Sequence, residues 1–359
     1  MNVHESEKLS GMMETFGYRR TDNEKACDVI IFNTCCIRHS AENKLLGHLS
    51  ILKSLKTDNP KLIAVVCGCM SQQPDGADRL IKNNPYIDII FGTHNLHCLG
   101  EYLTEFERIG KRIIDIWDEG GIEEDVPLRR EEDGRAWVNI MYGCNNYCSY
   151  CIVPYVRGRE RSREFNIVLN EVNGLIRDGV KEITFLGQNV NSYRSGNKDF
   201  ADLLETSAQI KGDYIFKFLT SHPKDFSKKL IEVISNNQNI AREIHLPVQA
   251  GSNRILALMN RKYTRQEYLN LVVLLRKKIP DCKLSTDIIV GFPSETEEEY
   301  EETIDLLKTV RFNKLFGFMY SKRAGTTAEK MKNQIPLDIK KERVKKLLDL
   351  QKKIERGEI

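Results

Sequence analysis

Residues 143–151 read Gly143-Cys144-Asn145-Asn146-Tyr147-Cys148-Ser149-Tyr150-Cys151, a CxxxCxxC loop directly behind the apolar run Trp137–Met141. Three thiolates this close together suit three irons of a 4Fe–4S cluster; ferredoxin-type clusters usually take four cysteines, so three leave one iron open to an exogenous ligand. A structural zinc site prefers four donors and paired CxxC spacing. An apolar strand that delivers chemistry in the loop after it is the habit of (β/α) barrels.

Downstream the strand–helix alternation continues. Strands are expected at Trp137–Met141, Glu182–Leu186, Tyr214–Leu219, Glu243–Leu246, Lys283–Val290 and Leu315–Tyr320, with helices such as Ile167–Arg177 and Glu295–Val310 between them. Six βα units predict a partial or open (β/α)6 barrel with its site at the C-terminal strand ends. The unusual residues sit there: LGQNVNSY (186–193), TSHPKD (220–225), LPVQAGSNR (246–254), VGFPSET (290–296) and YSKRAGT (320–326).

Upstream, a first helix places Leu9, Met12, Met13 and Phe16 on one face. Apolar runs at Asp28–Phe32, Leu62–Cys67 and Ile87–Phe91 alternate with helices at Ser40–Leu55, capped by Ser40, and at Asp75–Lys82. This predicts a small parallel α/β domain whose sheet is covered on both faces. The acidic stretch Asp118–Asp133 reads as a linker and Pro336–Arg356 as a Lys-rich final helix. The expected organisation is α/β throughout: domain 1–117, linker 118–133, barrel 134–335 and C-terminal helix 336–359.

Composition agrees. The 359 residues are 41% hydrophobic and 29% charged, enough for roughly two domains. The longest apolar stretch, Leu269–Leu275, contains Asn270 and is far short of the ~18 residues of a membrane span. Residues 1–15 lack the basic and apolar regions of a signal peptide, so a cytoplasmic protein is expected. Residues 1–133 hold 16 Lys/Arg against 23 Asp/Glu, a net of −7, and the remainder holds 38 against 28, a net of +10. That asymmetry hints at a polyanionic partner for the second half. Among ten cysteines, Cys35–Cys36 and Cys67/Cys69 follow predicted strands, and their loops are expected on one sheet edge.

Arg157, Arg159, Arg161 and Arg163 alternate behind the cysteine loop. On an extended segment all four would point one way, as RNA-phosphate contacts do; the competing reading is a solvated loop. Lys340, Lys341, Arg343, Lys345, Lys346, Lys352 and Lys353 read as a charged helix face. His222 and His245 read as structural hydrogen-bonding residues with no proton-transfer role.

These motifs resemble a known superfamily. GCNNYCSYC at the head of a barrel resembles the radical S-adenosylmethionine enzymes. NTCCIRHSAENK (33–44), GCNNYCSYCIVPYVRGRERSR (143–163), FLGQNVNSY, TSHP, LPVQAGSNRIL, MNRKYTR (259–265) and DIIVGFPSET (287–296) are similar to the methylthiotransferases within it, over almost the whole chain. The branch most alike acts on isopentenyladenosine in tRNA. The resemblance implies that Cys144, Cys148 and Cys151 hold one 4Fe–4S cluster and that Tyr150 packs near the adenine of S-adenosylmethionine. Gln188, Asn189, Gln249 and Asp287 are candidates to hydrogen-bond that cofactor. A second cluster takes three cysteines in the family, two of which carry over to Cys35 and Cys69; Cys36 and Cys67 are neighbouring thiols.

The implied reaction replaces the C2 hydrogen of N6-isopentenyladenosine, at tRNA position 37, with a methylthio group. S-adenosylmethionine serves as both methyl donor and radical source. The implied partners are the tRNA anticodon stem-loop and an electron donor such as a flavodoxin or ferredoxin; a monomer outside the membrane is expected. The alternatives are methylthiolation of a threonylcarbamoyladenosine or of a ribosomal-protein aspartate, and a noncatalytic zinc-stabilised RNA-binding module. The family's third auxiliary cysteine and its C-terminal β-barrel TRAM domain have no counterpart here. The expectation is a chain truncated at both ends with its second cluster compromised.

Overall fold

Ile63–Gly68 is buried at every position, because both faces of its sheet are covered. The computed structural model describes residues 1–36, 39–124, 126–130 and 134–359, with the backbone alone for 39–41 and 43. Two compact units emerge: Met1–Asp133 with Ile152–Arg159, and Gly134–Cys151 with Glu160–Ile359.

In the first unit, strands Val29–Thr34, Ile63–Gly68, Ile89–Phe91 and Ile113–Asp115 form a parallel sheet in chain order. The period of two sends Ile63, Val65 and Cys67 to one face, against Leu9, Met12, Leu99 and Leu103. Ala64 and Val66 meet Leu49, Leu52 and Leu80 on the other. Asn33 pairs with Cys67 and Thr34 with Gly68 in the register, so Cys35, Cys36 and Cys69 all fall just past the paired ends. Gly68 has φ +95°, and a Cβ there would lie 2.7 Å from the Thr34 carbonyl; only glycine turns the chain this tightly beside the neighbouring strand.

The helix expected over 40–55 is two, His39–Leu49 and Leu52–Asp58. Ser50 Oγ donates back to the Gly47 carbonyl at 2.6 Å, a local bond that competes with helical continuation. Ser40 falls inside the first of them and is not its cap. The expected linker runs back along the first helix, where Arg129 N donates to Glu7 O at 3.1 Å. The close pass of Pro127 leaves Gly11 no room for a Cβ.

In the second unit, Arg135–Asn139, Glu182–Leu186 and Ile215–Phe218 form one three-stranded parallel sheet. Glu243–His245, Lys283–Val290 and Lys314–Met319 form another. A parallel bridge between Phe216 and Ile240 joins them, which gives six parallel strands in chain order, the expected open barrel. Phe185 and Phe216 stack at 5.3 Å in its core. Capping boxes start the helices Arg265–Lys278 and Glu297–Val310, with Thr264/Glu267 and Thr296/Glu299. The final helix, Leu337–Glu355, buries Arg343, which meets Glu295 Oε2 at 2.8 Å. Burial pushes the Glu295 carboxyl up to about 7 despite the Gly291 amide and Arg343.

Candidate functional site

The cysteine loop follows the first barrel strand and is clamped from within its own unit. Gly143 turns the chain at φ +75°, and Tyr147 holds a left-handed φ of 47°, unusual for an aromatic residue. Asn260 Nδ2 donates to the Asn146 and Tyr147 carbonyls at 3.1 and 2.9 Å. Ser149 Oγ donates to Leu258 O at 2.7 Å. Asn145 N donates to Glu160 Oε1, and Glu160 N returns a bond to Asn145 Oδ1, each at 3.1 Å. The clamp holds the loop in a form it would not adopt alone.

Cys144 and Cys148 are buried and Cys151 is half-buried. Burial pushes the Cys144 thiol up to about 11. Asn146 Nδ2 donates to Cys144 Sγ and Arg261 Nη1 to Cys148 Sγ, both at 3.5 Å. A metal would take these sulfurs as thiolates. Among the described residues, no three His, Cys, Asp or Glu side chains converge on a single metal-ion position.

Gln188, Asn189 and Gln249 lie beyond the C-terminal strand ends, whereas Asp287 sits inside the strand Lys283–Val290. Asn189 Nδ2 donates to Asp225 Oδ2 at 2.7 Å, while its Oδ1, Gln188 Oε1 and Gln249 Oε1 are buried with no partner. Gln249 holds φ +74°. Asp287 faces His245, whose Nε2 is 3.4 Å from Asp287 Oδ2. His222 Nδ1 accepts from Lys224 N at 3.3 Å, which places the ring proton on Nε2, buried and unpartnered. Burial and the nearby Arg261 charge hold His222 down at about 2, so it is a neutral donor. An unsatisfied buried polar group costs ~1–3 kcal/mol; a polar ligand placed here relieves several at once.

The second group sits on the first unit's sheet edge. Cys69 is buried, and Arg157 Nε donates to its Sγ at 3.2 Å. Arg157 Nη1 and Nη2 both donate to Glu5, the latter at 2.8 Å. A hydrogen bond from the Cys36 thiol, helped by the Arg157 charge, holds Cys69 down to about 6. The same bond and burial push Cys36 up. Cys67 points into the apolar face, and burial raises it as well. Cys35 is half-buried just beyond the Thr34–Gly68 pair.

The four arginines do not form one edge, which corrects the alternation argument. Val153–Arg157 is helical, and Arg157 and Arg159 belong to the first unit while Arg161 and Arg163 belong to the second. Arg157 is spent on Glu5 and Cys69. Arg163 is buried, with Nη1 on the Asn139 carbonyl and Glu171 Oε2 at 2.7 Å each. Arg161 is half-buried, and Arg159 is exposed. Sequence reasoning passed over Arg261, Asn260 and Glu5. The first two lie inside the quoted MNRKYTR segment, whereas Glu5 carries no local signal.

A family model described as the radical SAM superfamily matches residues 138–307. One described as uncharacterized protein family UPF0004 matches residues 1–92. The chain is 51% identical to the tRNA-2-methylthio-N(6)-dimethylallyladenosine synthase of Acetivibrio thermocellus, over 99% of this chain and 75% of that one. It is 50% identical to the protein of the same name from Clostridium tetani, over 98% of this chain and 78% of that one. The chain belongs to this synthase family.

Solved structures share the fold. The radical S-adenosylmethionine methyltransferase TsrM from Kitasatospora setae, with tryptophan substrate and an S-adenosylmethionine analogue bound, superposes with TM-score 0.67 at 14% identity, over 91% of this chain and 72% of that one. The cobalamin-dependent S-adenosylmethionine radical enzyme OxsB gives 0.59 at 12% identity, over 97% of this chain and 53% of that one. The radical SAM match in this synthase-family chain takes in the cysteine loop, its clamp and Arg261; the other match takes in Cys35 and Cys69.

No helix among the described residues is long and apolar enough to cross a membrane.

Proposed function

We propose that the chain is a tRNA methylthiotransferase that exchanges the C2 hydrogen of N6-isopentenyladenosine for a methylthio group. The observation that carries this is 51% identity along 99% of the chain to a synthase of that name, with a clamped three-thiol loop where the chemistry requires one. Threonylcarbamoyladenosine and aspartate are less well supported, since the relatives above take their name from dimethylallyladenosine.

A three-ligand 4Fe–4S cluster fits the second unit: three thiols in one loop, two of them already accepting hydrogen bonds. When bound, the cluster and S-adenosylmethionine supply one-electron cleavage to a 5′-deoxyadenosyl radical able to abstract an unactivated hydrogen. Cys144, Cys148 and Cys151 would hold the cluster. Tyr150 would line the adenine side, and Gln188, Asn189, Gln249 and Asp287 would orient the polar groups of the cofactor. His222 would offer a fixed N–H rather than move a proton, because its ring does not ionise near neutral pH. Cys35 and Cys69 would take part in holding a second cluster, with Arg157 offsetting the Cys69 charge. A flavodoxin or ferredoxin as reductant, a monomeric state and a cytoplasmic setting complete the reading.

The test is direct. Reconstituted anaerobically until iron and sulfide for two clusters are bound, and given dithionite, S-adenosylmethionine and isopentenyladenosine-containing tRNA, the chain is expected to yield the 2-methylthio nucleoside on mass analysis of the digested RNA. Unmodified tRNA beside normal 5′-deoxyadenosine release would count against this substrate.

Arg159 is the exposed guanidinium of the four. Arg159→Gln is expected to flatten the slope of log affinity for tRNA against log salt by ~0.7–0.9. Arg163→Gln is expected to leave that slope alone and lower the melting temperature, because it unpairs Glu171 and the Asn139 carbonyl. Equal slopes for wild type and Arg159→Gln would remove Arg159 from the RNA surface.

A further inference from the structure

Arg261 is a buried cation without a carboxylate. It is 7% exposed. Its Nε donates to Tyr263 Oη at 2.9 Å, its Nη2 to the Pro247 carbonyl at 2.8 Å and its Nη1 to Cys148 Sγ at 3.5 Å. The guanidinium carbon lies 5.2 Å from the centre of the Tyr263 ring. Among the described residues no Asp or Glu pairs with it, in contrast to Arg157, Arg163, Arg254 and Arg343. Burying an unpaired charge costs several kcal/mol, so this charge needs an anion. Carbonyl, phenol and ring supply dipoles; the one partner able to carry a full negative charge is the Cys148 sulfur.

The placement is rigid. Tyr263 Oη donates onward to the Val248 carbonyl at 2.8 Å. The backbone N–H of Arg261 is bonded to Leu256 O at 2.9 Å. Asn260, the preceding residue, clamps the cysteine loop itself. One short segment therefore fixes the loop and aims a charge at one of its sulfurs. A fixed cation beside a ligand thiolate favours whichever state of the metal group carries more negative charge, and hydrogen bonds to cluster sulfurs tune reduction potential.

We propose that Arg261 is a positioning residue that neutralises the Cys148 thiolate and raises the reduction potential of the cluster held by the 144–151 loop. The proposal rests on the reading that this loop holds a 4Fe–4S cluster. Reduction adds one electron to the cluster and breaks no bond, and the guanidinium stays protonated in both states. Cys144 Sγ, by contrast, accepts from the neutral Asn146 amide.

The experiment uses the full chain carrying Cys35→Ala and Cys69→Ala, so that one cluster titrates. Wild-type Arg261, Arg261→Gln and Arg261→Lys are reconstituted anaerobically and assayed for iron and sulfide. Each is then titrated potentiometrically by electron paramagnetic resonance, without S-adenosylmethionine. Arg261→Gln is expected to keep its iron and to disfavour reduction about tenfold, a shift of about 59 mV to lower potential. Arg261→Lys, which keeps charge without the planar fork, is expected to recover part of that shift. Equal midpoints for Gln and Arg overturn the proposal and leave Arg261 as a brace. If Arg261→Gln loses its iron, Arg261→Lys decides: retained iron supports the charge, and lost iron overturns it. If the Arg261 protein holds no more iron than a Cys144/Cys148/Cys151→Ala control, the cluster reading itself fails and takes the proposal with it.

Discussion

Anaerobically reconstituted Cys148→Ala is expected to release no 5′-deoxyadenosine above background, while it still folds. In the proposed site one of three thiolates is gone, which would leave one iron without a protein ligand and lead to cluster loss or disorder. The fold should survive. The loop stays clamped by Asn260, Ser149 and Glu160, and the barrel core lies elsewhere. A loss of stability is still expected, because Arg261 is then a buried charge facing a methyl group instead of a sulfur. Cys148→Ser restores a hydrogen-bond acceptor and should recover that loss without recovering cleavage. Full 5′-deoxyadenosine release by either variant would remove Cys148 from the ligand set.

Arg157→Met is expected to be the most destabilising single change in the first unit, by ~3–5 kcal/mol. That is the range for breaking a buried pair by deleting one partner. The side chains of Arg157 and Glu5 are 7% and 8% exposed, so Glu5 would be left as a buried carboxylate without its counter-charge. At roughly 2–4 °C per kcal/mol, calorimetry of the metal-free chain should show that unit melting well below wild type. Adding Glu5→Gln should return part of the loss, since the pair acts as a unit. The Cys69 thiol should also titrate at higher pH, read as a shift in the pH profile of alkylation. An unchanged melting temperature together with an unchanged alkylation profile would show that the guanidinium does not serve these two groups.

Much of the fold was readable from one dimension. Glu182–Leu186 and Lys283–Val290 have the bounds expected for them, because each is an apolar or alternating run between clear breaks. The helix Leu99–Ile109 was not anticipated: its cap position is Cys98, which makes no side-chain bond to the first turn, so no starting signal is present. Ile113–Asp115 is too short and too exposed to announce itself. The cysteine loop was legible because three thiols fall within eight residues. The arginine run misled because alternation predicts a common face only on an extended chain, whereas Arg157 lies on a helix that belongs to another unit. Arg261 is 113 residues from Cys148, and Glu5 is 152 from Arg157. No local pattern encodes such pairs; they exist only once the chain has folded.

The excursion of Ile152–Arg159 into the first unit bears on how such a protein can be taken apart or reshuffled. The acidic stretch around 118–133 looks like the natural place to cut a gene into two exchangeable modules. A fragment ending there would carry Glu5 and Cys69 with no Arg157 to meet them. A barrel transplanted alone would bring an eight-residue segment with nowhere to dock. A recombination that keeps the fold intact must therefore carry Met1–Asp133 and Ile152–Arg159 together.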